Sequence, residues 1–319
     1  MNFENRRQMS YTSNVTAAPV APLGHRSGAW AGNGLAMLAM ITWASSFPVA
    51  DLLLKDWPAL FLITLRMTLA LAILAPVWVL VEWRRGFAGV QWLRGLLIGS
   101  IGFGVSAYMI LVAQQMTDPV TVALIATTAP ICAALLEIQA GNRRLSRRFG
   151  LGLVATVVGG MVATHGSGSA QFGLGAVLAG VSTCLWTWAS MAAVRSLPGM
   201  TPLGRTTLTF AGGMVLLWVV AAANLLLGRD ILPAAQITWD QVELLLIYAA
   251  VGMAFSQFLW IAAVERLGVG LASFHMNLSP FYVMLIMLGL GAGWQWQQAY
   301  GAVLVAAGVL IVQQRRARS

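Results

Sequence analysis

The chain has 319 residues, of which 59% are hydrophobic and 9% are charged, with a mean hydropathy of +0.78 and a net charge of +9. A soluble domain carries about 25% charged residues, so this chain has too few charges to cover a water-facing surface. Its basic residues stand in short runs between apolar segments, which is typical of membrane spans and predicts no nucleic-acid partner.

Residues 1–30 are polar and contain no apolar run long enough for a signal peptide, so we expect a disordered cytoplasmic tail there. A second, basic tail is expected at 315–319. Cys132 and Cys184 each lie within an apolar stretch and are interpreted as small packing residues. No Cys/His cluster, phosphate-binding loop or dinucleotide motif is present, so we expect neither a metal nor a cofactor.

A helix needs about 20 apolar residues to cross a bilayer, and ten segments of that kind follow one another along the chain. Several are joined by very short connections, such as that at Asp56, so neighbouring spans are predicted to be antiparallel. The predicted spans lie near 33–53, 58–81, 91–114, 118–138, 147–165, 173–194, 202–227, 241–264, 268–290 and 296–314.

The positive charges predict the orientation of these spans. With the N-terminus inside, 16 of the 19 Lys and Arg residues fall in cytoplasmic segments, which leaves only Lys55 and Arg229 outside and Arg66 within a span. Because cytoplasmic loops are enriched in Lys and Arg, we expect both termini in the cytoplasm.

The second half of the chain repeats the first. Two regions, 31–166 and 171–314, would hold five spans each, and an odd number of spans makes the two copies inverted relative to each other. The fold class is therefore an all-α membrane protein of ten helices in two inverted five-helix repeats. At an offset of 150 residues, Gly102, Ser106, Ala113, Pro130 and Gly141 recur as Gly252, Ser256, Ala263, Pro280 and Gly291.

Four segments resemble motifs of the EamA family of the drug/metabolite transporter superfamily. Residues 43–48 read Trp-Ala-Ser-Ser-Phe-Pro, Leu65 precedes Arg66, and Pro130 and Pro280 are each followed by a glycine 11 residues later. Asn142 and Ala292 stand where the family often has Glu. The resemblance covers about 33–314, and it implies a multi-pass carrier of the bacterial inner membrane, commonly an exporter of amino acids or related metabolites.

A carrier needs polar or aromatic side chains around a central cavity, since a ligand that leaves water must find replacement contacts. Several such side chains lie deep in predicted spans, and the alternative for each is packing between helices. The candidate substrate-binding residues are Trp43, Ser46, Phe47, Arg66, Tyr108, Trp186, Ser256, Gln257 and Trp260.

Arg66 lies about eight residues from the outer end of the second span, where a charge costs up to about 2.5 to 3.5 kcal/mol. One reading is that it holds the cavity geometry or the carboxylate of a substrate. The other is that its long side chain reaches the outer headgroups, beside Asp51.

Glu137 and His275 are titratable groups in the cytoplasmic halves of the fourth and ninth spans, so they are candidates for proton coupling. The alternatives are a surface ion pair for Glu137 and a packing role for His275. Pro130 and Pro280 occupy matching places in the same two spans, and each is read either as a hinge or as a static kink.

The sequence therefore predicts a secondary transporter, and not an enzyme. The inverted duplication favours alternating access around a central cavity between the two repeats. Its partners would be a small-molecule substrate and the lipid bilayer, with a homodimer left open. The alternative is an integral-membrane enzyme acting on lipids or isoprenoids, which would need convergent acidic or histidine side chains.

Overall fold

The structure of the chain is a computed structural model that describes residues 26–82, 84, 89–139, 151, 154–155, 158 and 170–313. Within those residues every regular element is helical, in agreement with the predicted class. The helices are α1 (Arg26–Ala44), α2 (Ser46–Leu53), α3 (Ala59–Glu82), α4 (Trp92–Ile98), α5 (Val105–Met116), α6 (Pro119–Ala126), α7 (Ala129–Gln139), α8 (Ala170–Ser196), α9 (Pro202–Leu226), α10 (Trp239–Ala249), α11 (Ser256–Leu267), α12 (Val269–Ala272), α13 (Ser279–Gly289) and α14 (Trp296–Gln313).

Eight stretches of helix in the described residues are long and apolar enough to cross a membrane, and they coincide with predicted spans one to four and six to nine. Their bounds are Trp30–Leu53, Ala59–Glu82, Trp92–Met116, Pro119–Leu136, Gly173–Ser196, Pro202–Leu226, Trp239–Leu267 and Val269–Gly289. The predicted tenth span corresponds to α14. The predicted fifth span and both tails lie almost wholly outside the described residues.

Polar contacts near helix ends identify the two ends of the helix bundle. At one end, Arg205 forms an ion pair with Glu265 at 2.6 Å, and Thr201 donates a hydrogen bond to Glu82. We call this the basic end, since Arg84, Arg195 and Arg266 also lie at helix ends here. At the other end, which we call the opposite end, Gln241 donates to Asp56 at 2.8 Å.

Span Trp92–Met116 begins at the basic end, directly after α3, whereas span Trp239–Leu267 begins at the opposite end. These are the two spans that carry the repeated glycine and serine, so the matched spans run in opposite directions. Each is also interrupted by a π-helical segment, Gly99–Gly104 in the former and Ala250–Phe255 in the latter.

The two proline-bearing spans are interrupted as well. The fourth span stops at Ala126 and resumes as α7 at Ala129, so that Pro130 lies in the first turn of the new helix. In the ninth span a 3₁₀-helix, Ser273–Leu278, precedes α13, and Pro280 again lies in the first turn. Proline is tolerated there because its missing N–H has no helical acceptor.

The prediction that the two cysteines are separate packing residues is wrong. Cys132 on α7 and Cys184 on α8 form a disulfide, with their Cα atoms 5.2 Å apart. Their separation of 52 residues along the chain gave no sign of this contact, which depends on the packing of α7 against α8.

Spans three and seven approach each other closely where both carry glycine. A methyl group on Gly212 of α9 would lie 2.1 Å from the carbonyl oxygen of Leu96, on the facing backbone. Such close contacts between backbones are the usual way in which membrane helices pack, since lipid leaves little hydrophobic drive for their association.

We expect Gly212→Ala to destabilise the protein by about 1 to 3 kcal/mol, because a backbone carbonyl cannot move aside as a flexible side chain does. Gly180→Ala on α8 is the matched control, since nothing lies within 4 Å of the added methyl group. Thermal unfolding in mild detergent measures both, and equal midpoints for the two variants would contradict the packing described here.

Candidate functional site

The side chain of Arg66 is buried between spans, with 6% of its surface exposed. Its Nε donates to the backbone oxygen of Tyr248 at 3.1 Å, and its Nη2 donates to the oxygen of Gly252 at 2.9 Å and to Oγ of Ser46 at 2.8 Å. These three bonds join α3 to α2, to α10 and to the second π-helical segment.

The guanidinium also stacks on an aromatic ring. Its Cζ lies 3.5 Å from the centroid of the Tyr248 ring, a cation–π geometry in a site from which water is largely excluded. No described carboxylate forms an ion pair with Arg66, so neutral carbonyl dipoles, a hydroxyl and the ring stabilise the charge. The alternative reading, in which Arg66 reaches the headgroups beside Asp51, does not fit this placement.

Gly252 permits this arrangement because it has no side chain. A Cβ atom there would lie 2.2 Å from Oγ of Ser46 and 3.2 Å from Nη2 of Arg66. Its carbonyl oxygen also accepts from Ser46 at 3.0 Å and from Ser256 at 2.9 Å. A π-helical turn replaces the regular bonding ladder locally, and such turns recur at functional sites.

A cavity of about 70 Å³ lies beside Arg66, between the spans. Its wall combines a few polar side chains with a larger apolar surface, as ligand pockets do. The polar and aromatic residues of the wall are Trp43, Arg66, Ser106, Ser182, Thr183, Trp186, Ser256 and Gln257, and its large apolar residues are Phe103, Ile110, Phe210, Met253 and Met276.

One donor group on this wall has no acceptor in the described part of the chain, and a second takes no part in the bonds given above. The bonds of Arg66 to Ser46, to Gly252 and to the backbone of Tyr248 use Nε and Nη2, so none of them involves Nη1. Gln257 is 6% exposed, and its Oε1 accepts from Nε1 of Trp186 at 3.2 Å while its Nε2 is unpaired. An unpaired buried donor is costly, so Nε2 of Gln257 suits a ligand that brings an acceptor oxygen.

Three tryptophans form a row from the cavity wall into the protein. Trp43 stacks on Trp186 with centroids 6.3 Å apart, and Trp186 lies 4.6 Å from Trp260. Trp260 is 1% exposed and donates to Oγ of Ser190 at 3.0 Å. It therefore supports Trp186 from behind, whereas Trp43 and Trp186 lie on the wall itself.

Three other residues predicted from the sequence, Ser46, Phe47 and Tyr108, do not line the central cavity. Ser46 and Phe47 line a smaller cavity of about 20 Å³ that also borders Arg66, together with Gln114 and Tyr248. Gln114 donates to the oxygen of Phe47 at 2.9 Å. Tyr108 is half-buried and packs against the main core rather than on the wall of either cavity.

Of the predicted proton-coupling pair, the structure describes the side chain of His275 but not that of Glu137. His275 is half-buried in the 3₁₀-helix, and its Nδ1 lies 3.2 Å from the oxygen of Ala272. Glu137 belongs to α7, but its side chain lies outside the described residues. The structure thus brings Trp43, Arg66, Trp186, Ser256 and Gln257 to one cavity, with Ser46, Phe47 and Trp260 next to it.

Tyr248 is a site residue that was not among the candidates predicted from the sequence. Tyr248 precedes the repeated Gly252 by one helical turn, so the same face of span eight could have indicated it. Nothing comparable in the sequence indicates that Gln114 belongs to the site, because its contact with Phe47 joins segments 67 residues apart.

Comparisons with known proteins agree with this architecture. Residues 30–164 match the model of the EamA-like transporter family. The chain is 26% identical over 222 residues to the uncharacterized transporter YyaM of Bacillus subtilis strain 168, covering 67% of this chain and 71% of that protein. A crystal structure with 17% identity superposes with a TM-score of 0.64 over 92% of this chain and all of that one, which supports the fold.

We expect Gly252→Ala to disrupt the Arg66 site, because the added methyl group occupies the position of Oγ of Ser46. Ser46→Gly removes that oxygen, so the double variant should recover part of the thermal stability that Gly252→Ala loses. Unfolding midpoints of the wild type, both single variants and the double variant test this as a double-mutant cycle. Strictly additive effects would mean that the two residues are not in contact.

Proposed function

We propose that this chain, which belongs to the EamA-like transporter family, is a secondary carrier that exports small metabolites bearing a carboxylate, with amino acids as the leading class. Family membership makes it a membrane transporter. The substrate, the direction and the mechanism are inferred from the site.

One observation carries the choice of substrate: Arg66 is the only ionised side chain among the described residues that line the central cavity. Because no described carboxylate pairs with it, a substrate carboxylate would supply the missing counter-charge at Nη1, which takes no part in the bonds to Ser46, Gly252 and the backbone of Tyr248. Hydrogen bonds between a guanidinium and a carboxylate are charge-assisted and are among the strongest in proteins.

The rest of the wall suits the other parts of an amino acid. The unpaired Nε2 of Gln257 offers a second donor for the carboxylate. An ammonium group could donate hydrogen bonds to the hydroxyls of Ser106 and Ser256. It could also form cation–π contacts with the faces of Trp43 and Trp186. Phe103 and Phe210, with centroids 6.1 Å apart, provide an apolar surface for a side chain.

Alternating access is the mechanism that an inverted repeat favours. Opposite directions of spans three and eight, and interruptions before Pro130 and Pro280, support a rocking motion in which both prolines act as hinges. With the basic end in the cytoplasm, the carrier would lie in a bacterial inner membrane and move its substrate from the basic end to the opposite end.

Counterflow in proteoliposomes tests the substrate class, with an amino acid compared against its carboxamide and its decarboxylated amine. We expect the wild type to favour the carboxylate and Arg66→Gln to lose that preference, with exchange reduced roughly 10- to 100-fold for one charged hydrogen-bonded contact. Arg66→Lys should fail as well, because lysine cannot bond Tyr248, Gly252 and a ligand together.

Arg229→Gln is the matched control, since Arg229 lies in an exposed loop at the opposite end. Insertion is normalised by the amount of protein in the vesicles. Equal exchange by the wild type and Arg66→Gln, or equal transport of the acid and its amide, would overturn the proposal.

Proton coupling through Glu137 and His275 is a separate proposal. If it holds, an imposed pH gradient should drive uptake into everted vesicles, and His275→Asn should reduce the driven component while leaving counterflow intact. Uptake by the wild type that is insensitive to the gradient would contradict it.

A further inference from the structure

A second space, separate from the central cavity, opens on the side of the bundle between α3 and span eight. Its volume is about 710 Å³. The two spans meet at the second π-helical segment, where Arg66 bonds Gly252, and α9 packs against both α3 and α11. Residues Thr201, Pro202 and Leu203 at the start of α9 form part of the lining near the basic end.

The walls of this groove are apolar over most of its length. Ile73, Val77 and Val81 of α3 face Ala254, Phe258 and Ala262 of span eight. From Ala250 to Ala262 the groove extends about 18 Å at the helical rise of 1.5 Å per residue. That is slightly more than one leaflet of a hydrocarbon core about 30 Å thick, so a lipid acyl chain matches the groove in length and polarity.

The polar lining is confined to the basic end and contains both signs of charge. Glu82 and Arg266 line this end together with Thr201. Glu82 accepts a hydrogen bond from Thr201, and Nη1 of Arg266 donates to the oxygen of Ala262 at 3.1 Å. Within the described ranges, neither Glu82 nor Arg266 forms an ion pair.

We infer that this groove binds one phosphatidylethanolamine molecule from the leaflet at the basic end. An acyl chain lies along the apolar walls, the phosphate bonds the guanidinium of Arg266, and the primary ammonium bonds the carboxylate of Glu82. The paired charges distinguish this headgroup from phosphatidylglycerol, which has no amine, and from phosphatidylcholine, whose quaternary amine has no N–H to donate.

The site lies directly behind the substrate site. Ala250, Ala254 and Phe255 line the groove, whereas Gly252 and Met253 of the same π-helical segment line the central cavity. A bound acyl chain therefore contacts the segment that holds Arg66 in place.

Native mass spectrometry of delipidated protein, titrated separately with phosphatidylethanolamine, phosphatidylcholine and phosphatidylglycerol, tests the inference. We expect the first phosphatidylethanolamine to bind more tightly than either other lipid. Arg266→Gln should weaken binding of phosphatidylethanolamine and phosphatidylcholine alike by about tenfold, as expected for one charged contact. Glu82→Gln should lower the affinity for phosphatidylethanolamine only to the affinity that the wild type has for phosphatidylcholine.

Val77→Trp fills the groove and should abolish the first binding step. Val79→Trp is its matched control, since the two valines are exposed to similar degrees, 43% and 47%, but only Val77 lines the groove. Equal binding of all three lipids, tighter binding of phosphatidylglycerol, or the same effect from Val77→Trp and Val79→Trp would overturn the inference. Arg266→Gln and Glu82→Gln leave the apolar walls of the groove intact. Because lipid binding is measured without transport, a failure of the lipid proposal can be told apart from a failure of the proposed transport function.

Discussion

A single guanidinium buried in the middle of a membrane protein constrains much of the surrounding structure. A charge at this depth is costly unless donors and acceptors compensate for it, and in the described residues no carboxylate does so for Arg66. Two backbone carbonyls, one hydroxyl and one ring take that role. Gly252 must then lack a side chain, Ser46 must present its hydroxyl, and the eighth span must depart from regular α-helix to bring its carbonyl oxygens to the cation.

The two halves of the chain use the same local geometry for different purposes. Gly102 in the first π-helical segment matches Gly252 in the second, and a Cβ atom on Gly102 would lie 2.2 Å from the Cβ of Ala189. This contact is apolar and serves packing alone, whereas the corresponding close approach at Gly252 involves Ser46 and Arg66. The duplication thus provides two close approaches between spans, and only the one at Gly252 holds a charge.

The π-helical segment of span eight separates two chemically different spaces. Its cavity side carries polar donors next to Arg66, and its outer side borders an apolar groove with charges at one end. Small residues make this possible, because Ala250, Gly252 and Ala254 leave room on both sides of one helix. Only this one helix lies between the groove and the position of Arg66.

Composition and periodic apolar runs were enough to predict a helical membrane protein and eight of its spans, because the length of a span is fixed by the thickness of the bilayer. The same patterns indicated Trp43, Arg66, Trp186, Ser256 and Gln257 as polar or aromatic residues deep in spans, without showing which of them meet. Only the packing of the spans decided that Arg66 bonds Gly252 at 2.9 Å, that Trp260 lies behind Trp186, and that Cys132 contacts Cys184. These contacts join residues that are 52 to 186 positions apart, and hydropathy describes how each helix meets lipid, not which faces of two helices meet each other.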